Sequence, residues 1–177
     1  SGRIVSVAAI VAVAVNLDGR REVLGIAIQP SEAEVFWDEF LRALADRGLR
    51  GVKLIIADDH KGLKAAASKV LGATIQRCRV HFMRNALACV GKKDRPIVTA
   101  ALRTAFDQDT LAASREHWAK LIEAFQPRHT KLAELMLRAE DDVLAYKAFP
   151  KAHWQQIHST NPLELTCPPN AGPFERR

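Results

Sequence analysis

Long apolar runs are missing from this sequence. The longest, Val7 to Val15, has nine residues, and a membrane-spanning helix needs about 20. No membrane association is therefore expected. Cysteine is scarce and odd in number: Cys78, Cys89 and Cys167 do not make a disulfide framework, which points to a reducing compartment. No secretory signal with a charged start, an apolar middle and a small-residue cleavage site is recognisable, so a cytoplasmic setting is expected. Several catalytic signatures are missing too. There is no Gly-rich phosphate loop, no Gly-x-Ser-x-Gly elbow and no His-Glu-x-x-His, so nucleotide-fold and nucleophilic-hydrolase readings lack their motifs. Internal repeats and low-complexity tracts are not found.

What remains is ordinary in bulk and uneven in detail. The chain has 177 residues, 48% hydrophobic and 26% charged, the composition of one globular domain or of one domain carrying an insertion. The formal net charge is +6. Between Lys61 and Arg103 stand ten Lys and Arg residues against a single acid, Asp94; the rest of the chain is slightly acidic. A concentrated basic stretch can be the footprint of a polyanion. A solvated basic face accounts for it equally well.

Residues 4–15 are rich in Val and Ile without polar alternation, which predicts a strand buried on both faces. Asn16-Leu17-Asp18-Gly19 is a turn, and residues 21–28 read as the returning strand of a hairpin. Ser31 and Glu34 form a capping-box pattern. Phe36, Phe40, Leu41 and Leu44 then repeat at helical spacing until Gly48. Residues 52–57 predict a short buried strand, followed by a helix through Leu71 and a strand over 74–80. This β-β-α-β-α-β order implies a mixed α/β sheet with packed helices. From Phe82 onward the periodicity is helical. One stripe is Ile97, Ala101, Leu102 and Ala105. A second is Leu111, Trp118, Ile122 and Phe125, and a third is Leu132, Leu135, Met136, Ala139, Val143 and Tyr146. Their aromatic and Met residues read as core.

Few residues stand out chemically. Asp58 ends a predicted buried strand, where ligand sites of open α/β sheets lie. It is available to a divalent metal such as Mg²⁺, or it simply caps the next helix. Alternation along the strand puts Asp59 on the opposite face. Cys78-x-x-His81 is half of a zinc-ligand pattern with no second pair at a suitable spacing. Cys89 and Cys167 read as a buried thiol and a tail thiol. Asn161-Pro162-Leu163-Glu164 has the form of a helix start. Glu164 is then either a capping glutamate or a carboxylate held at a positive helix end. The announced helix does not follow, because Leu165-Thr166-Cys167 runs into Pro168-Pro169.

Taken together, several stretches resemble the Mutator-type transposases of bacterial insertion sequences. They are Val11 to Ile28, Ser31 to Glu34 with Phe36-Trp37, Arg47 to Leu54, Asp58, His60, Gly62 to Ala66, Gln76 to Asn85 and His158 to Glu164. The Gln-Arg-Cys-x-x-His-x-x-x-Asn and Thr-Asn-Pro-Leu-Glu blocks are the most specific, and the similarity covers roughly residues 3–164.

The resemblance implies a ribonuclease H-like α/β fold, a mixed sheet core with an all-helical insertion. On this basis residues 1–81 are the core without its first strand, 82–158 the insertion, 159–164 the start of the helix bearing the last acid, and 165–177 an aberrant Pro-rich tail. It also implies a site of two Asp and one Glu that binds two Mg²⁺ ions and activates water, then a DNA 3′-hydroxyl, for attack on phosphodiesters. Asp58 matches the second acid and Glu164 the third; both would be catalytic and metal-binding. Cys78 and His81 match the family's Cys-x-x-His signature, to which a structural or site-supporting role is given rather than that of a metal pair. Arg77, Arg79, Arg84, Lys92 and Lys93 become candidate contacts to double-stranded DNA, and a homo-oligomer is possible. The family's first acid belongs on a strand before residue 1, and Asp18 in the hairpin turn is poorly placed to replace it. The expectation is thus a truncated, catalytically impaired copy. The competing readings are a non-catalytic DNA-binding or oligomerising remnant, and a different two-metal nuclease on the same fold.

Overall fold

The computed structural model describes residues 8–16, 20–29 and 34–160. The predicted turn at 17–19, the Ser31 cap, Glu164 and the Pro-rich tail lie outside them. The described residues form a mixed α/β structure. Its strands are β1 (Ala8–Val15), β2 (Arg21–Gln29), β3 (Leu54–Ala57) and β4 (Thr74–Arg77). Its helices are α1 (Glu34–Asp46), α2 (Lys61–Ala66), α3 (Arg79–Ala88), α4 (Arg95–Phe106), α5 (Leu111–Phe125), α6 (Thr130–Val143) and the short α7 (Trp154–Ile157). A π-helical stretch, Ala67–Leu71, continues α2 and ends on Gly72, whose φ of 59° is the left-handed conformation that favours glycine.

β1 and β2 pair antiparallel, and β3 with β4 makes a second two-stranded sheet. In that second sheet the Thr74 N–H donates to the Lys53 carbonyl at 3.1 Å and the Cys78 N–H to the Ala57 carbonyl at 2.7 Å. The partners advance together along both chains, so the pair is parallel. Two compact units divide the chain. Among the described residues, one holds those up to 55 and 60–74, the other 56–59 and 75–160.

In the first unit the hairpin register shifts between Ala12 and Val13. Ala12 faces Gly25 and Val13 faces Val23, which leaves Leu24 unopposed. This is a β-bulge. The Leu24 carbonyl is satisfied by Arg47 Nη1 at 2.9 Å. A Cβ on Gly25 would come within 3.3 Å of Leu44 Cδ2, so the missing side chain lets α1 approach β2. Phe36, Trp37, Leu41 and Leu44 form the buried face of α1. His60 packs its ring on Trp37, and its Nδ1 accepts the Leu63 N–H to cap α2.

One expectation fails here. β1 is not buried on both faces: Val11 and Val15 are 56% and 63% exposed, and Val23, Ile26 and Ile28 on β2 are exposed as well. Among the described residues β1 pairs with β2 alone. An apolar strand sequence is only as buried as the neighbours that cover it.

The second unit is mostly helical. Its core holds Phe82, Leu102, Phe106, Trp118, Leu132, Met136, Val143 and Leu144. Trp118 is fully buried between Phe82 and Phe106, at centroid distances of 5.4 and 5.6 Å. Its indole N–H donates to the Met136 carbonyl at 3.0 Å. The second and third helical stripes are the observed core faces, with Leu111, Ile122 and Leu135 at their half-buried margins. The first is turned by one residue. Val98, Leu102, Ala105 and Phe106 are buried, and Ile97 is exposed. The predicted strand over 74–80 stops at Arg77, because Cys78 already begins α3.

Gln76 ties β4 to the far end of this core. It is fully buried. Its Nε2 donates to the carbonyls of Val143 (3.0 Å) and Arg77 (2.7 Å), and its Oε1 accepts the Tyr146 N–H at 2.7 Å. Close by, Lys147 is buried, donates to the Gln108 carbonyl and sits 4.2 Å above the Trp154 ring. Burial pushes its ammonium down from 10.5 to about 8, and repulsion from Arg79 adds to this. The unfolded chain therefore holds the proton more tightly than the folded one between those values, and stability should rise with pH across that window. The urea midpoint should climb between pH 8 and 10, and Lys147→Met should remove the climb. An equal climb in the variant would contradict this assignment.

Candidate active site

The parallel pairing of β3 and β4 brings two chain positions together. Asp58 is the first residue past β3 and Cys78 the first past β4. The Cys78 N–H to Ala57 carbonyl bond fixes them side by side at the carboxyl edge of the pair. Cys78 also stands at the N-terminus of α3. His81, three residues later, lies on the same helix face. The result is a cluster of three unlike donors: a carboxylate oxygen of Asp58, the thiol of Cys78 and a ring nitrogen of His81, all within 4.8 Å of one another.

Their surroundings differ. Cys78 is fully buried. The Asp58 side chain is 59% exposed and that of His81 24%. His81 Nδ1 lies 2.5 Å from Asp58 Oδ1. The carboxylate nevertheless sits off the line of a ring N–H, so this buried nitrogen has no aligned hydrogen bond.

The other face of the same turn holds the chain that leads to Glu164. Thr160 donates its N–H to Cys78 Sγ at 3.5 Å, and its hydroxyl lies 3.3 Å from that sulfur. The Arg79 N–H donates to the His158 carbonyl at 2.9 Å. Burial, with Arg79 adding to it, lowers the His158 imidazole below its ordinary value. The Cys-x-x-His turn thus touches Asp58 on one side and residues 158–160 on the other. Glu164 follows in sequence but lies outside the described residues.

Asp59 and Arg77 account for each other. Arg77 Nη1 meets Asp59 Oδ2 at 3.0 Å. Arg77 is buried, and its guanidinium lies 5.5 Å from the Phe82 ring centre. Among the candidate DNA contacts Arg77 is therefore the least accessible, since a phosphate would have to displace Asp59 from it. Arg79 is half-buried with its guanidinium 4.8 Å over Phe106. Arg84 on α3, and Lys92 and Lys93 in the following turn, are exposed. Sequence spacing did not reveal that Asp58 joins Cys78 and His81. Asp58 follows the apolar run Leu54–Ala57, but Cys78 follows Thr-Ile-Gln-Arg, and nothing in the spacing links the two.

The arrangement offers one open carboxylate of the kind hard divalent cations take, backed by a thiol and an imidazole. Comparison with known proteins identifies the family of the chain. The pattern of the family described as "Transposase, Mutator family" matches residues 1–166. The chain is 38% identical over 165 residues to the transposase for insertion sequence element IS1081 of Mycobacterium tuberculosis, covering 93% of this chain and 40% of that protein. It is 40% identical to the transposase for IS406 of Burkholderia multivorans, covering 92% and 42%. It is 33% identical to the transposase for IS256 in transposon Tn4001 of Staphylococcus aureus, with the same coverage. The chain therefore spans about two fifths of the length of these relatives. It belongs to the Mutator family of transposases.

Proposed function

We propose that this segment carries the second and third carboxylates of a DDE transposase site, Asp58 and Glu164, on a ribonuclease H-like core whose insertion is the helical stretch 82–158. The observation that carries the reading is the position of Asp58. It is an exposed carboxylate at the carboxyl edge of a parallel strand pair, in a chain of this family. The proposed substrate is double-stranded DNA at the element's ends and target, in the bacterial cytoplasm, with a homo-oligomer as the working assembly.

The donor set fits Mg²⁺ at Asp58, because a solvated carboxylate is a ligand Mg²⁺ takes together with water and phosphate oxygens. Cys78 and His81 are too soft to share that ion. When bound, the metal pair would make water or a 3′-hydroxyl a stronger nucleophile and neutralise charge on the phosphodiester. The residues of the chain supply orientation. His81 limits the rotation of Asp58. The contacts of Cys78 and Arg79 fix residues 158–160, four residues short of Glu164. Arg84, Lys92 and Lys93 would hold the DNA backbone. Three acids complete such a site, and residues 1–177 match two of them, so turnover requires the first acid in addition.

Mn²⁺ binding followed by electron paramagnetic resonance tests this reading without turnover. Asp58→Asn should weaken Mn²⁺ at least ~10-fold, the low end of what loss of even a supporting partner costs a metal site. Unchanged Mn²⁺ binding in that variant would remove Asp58 from the site. The exposed cations favour one second reading, a non-catalytic DNA-binding remnant. Salt-dependent DNA binding without any Mn²⁺ binding would decide for it.

A further inference from the structure

We propose that Asp58, Cys78 and His81 form a binding site for a borderline transition-metal ion of the Zn²⁺ class, distinct in chemistry from the Mg²⁺ site with which it would share Asp58. The part of this inference that concerns competition with Mg²⁺ rests on the reading of Asp58 given above; the binding itself does not.

The argument begins with the donors. A thiolate, an imidazole nitrogen and a carboxylate oxygen form the mixed set that Zn²⁺ accepts and Mg²⁺ does not. Three protein ligands plus one water make the open tetrahedral arrangement of exchangeable zinc sites. Here the open side is the one on which Asp58 is exposed. Ligands of a tetrahedral Zn²⁺ stand about 3.3–3.8 Å apart, given Zn–N and Zn–O near 2.0 Å and Zn–S near 2.3 Å. The three donor atoms already lie within 4.8 Å of one another, so an ion needs the Asp58–His81 pair, at 2.5 Å, to open and the longer separations to close.

Two further observations point to an ion. The buried Nδ1 of His81 has no aligned hydrogen bond, although a carboxylate oxygen is 2.5 Å away. An ion between the two would replace this crowded contact with two bonds. The Cys78 sulfur also receives the Thr160 N–H at 3.5 Å, the outer hydrogen bond that supports a metal-bound thiolate. Spacing in the sequence concealed the site. Cys78-x-x-His81 has no second Cys/His pair, and its third ligand comes from a different strand through the β3–β4 register.

Binding would displace the thiol proton of Cys78 to solvent as the S–metal bond forms. No oxidation or reduction accompanies it. With Asp58 engaged, the Mg²⁺ site would lose a carboxylate, so Zn²⁺ would act as an inhibitor of metal-dependent chemistry at Asp58.

The test uses the whole chain and Co²⁺ as the probe, since Co²⁺ reports a thiolate ligand by a near-ultraviolet charge-transfer band. One equivalent of Co²⁺ should produce the band, and one of Zn²⁺ should abolish it. Millimolar Mg²⁺ should leave the band in place. Cys78→Ser should remove it and His81→Gln should weaken Co²⁺ at least tenfold. Cys89→Ser and Cys167→Ser should change nothing. X-ray absorption at the zinc edge of the unmodified protein gives a readout free of folding effects. It should show one sulfur near 2.3 Å and lighter ligands near 2.0 Å. Absence of the sulfur, or a band that follows Cys89 or Cys167, overturns the proposal.

The two readings fail separately. Asp58→Asn should weaken both Mn²⁺ and Co²⁺ to a similar degree, whereas Cys78→Ser should weaken Co²⁺ far more than Mn²⁺. A thiolate band without Mn²⁺ binding would sink the transposase site and leave this one standing. Mn²⁺ binding without the band would do the reverse.

Discussion

Gln76→Leu is expected to destabilise the second unit by about 2–6 kcal/mol, because it strands at least two buried backbone groups at about 1–3 kcal/mol each. They include the Tyr146 N–H and the Val143 carbonyl, which Gln76 serves at 2.7 and 3.0 Å, and the Arg77 carbonyl at 2.7 Å loses the same donor. Leucine fills the volume and meets neither need. A small domain has about 5–15 kcal/mol of stability in all, so the loss would be a large fraction of the whole. Urea unfolding should show a lower midpoint with an unchanged slope. A midpoint within experimental error of the parent would mean that Gln76 does not tie the strand to the helical core. Gln76 opens the Gln-Arg-Cys block, so this prediction assigns the first residue of that motif to architecture rather than chemistry.

Trp118→Ala should cost about 3–5 kcal/mol, the usual range for deleting a fully buried large aromatic side chain. The site has little freedom to collapse, since Phe82 and Phe106 flank the indole and are themselves buried. Trp118→Phe separates two contributions. It keeps a ring between the two phenylalanines and deletes the N–H that reaches the Met136 carbonyl at 3.0 Å. That change should cost about 1–2 kcal/mol, a net hydrogen bond and some packing. Equal losses in the two variants would place the whole contribution in the hydrogen bond and contradict the packing account.

The helical half was the more legible part of the sequence. Trp118, Met136, Ala139 and Val143 recur at helical spacing, and the structure buries them all. Where the stripe was built from small residues the phase slipped by one. The periodic stripe takes in Ile97 whereas the structure buries Val98, because Ala101 and Ala105 give a weak signal on which either neighbour fits. The strands were harder to judge. Their apolar composition predicted burial on both faces, but the burial of a strand depends on neighbours that local composition does not specify. Arg77 shows the same limit for charge. Counted in sequence it belonged to a basic stretch, whereas in three dimensions Asp59 and Phe82 enclose it.

The site was legible as motifs and illegible as a constellation. Asp58 was found because it ends a short apolar strand. Cys78 and His81 were found as a pair. That the pair meets Asp58 on one side and Thr160 on the other follows from strand register and from one helix turn, neither of which spacing encodes.

The central claim is that Asp58 and Glu164 belong to one metal site. Iron-directed backbone cleavage tests it most directly: Fe²⁺ is placed in the site and radical cleavage is mapped along the chain. In Cys78→Ser, where the softer cluster is disabled, the account predicts paired cuts beside Asp58 and beside Glu164, both suppressed by excess Mg²⁺. Cuts beside Asp58 with none near Glu164 would contradict it.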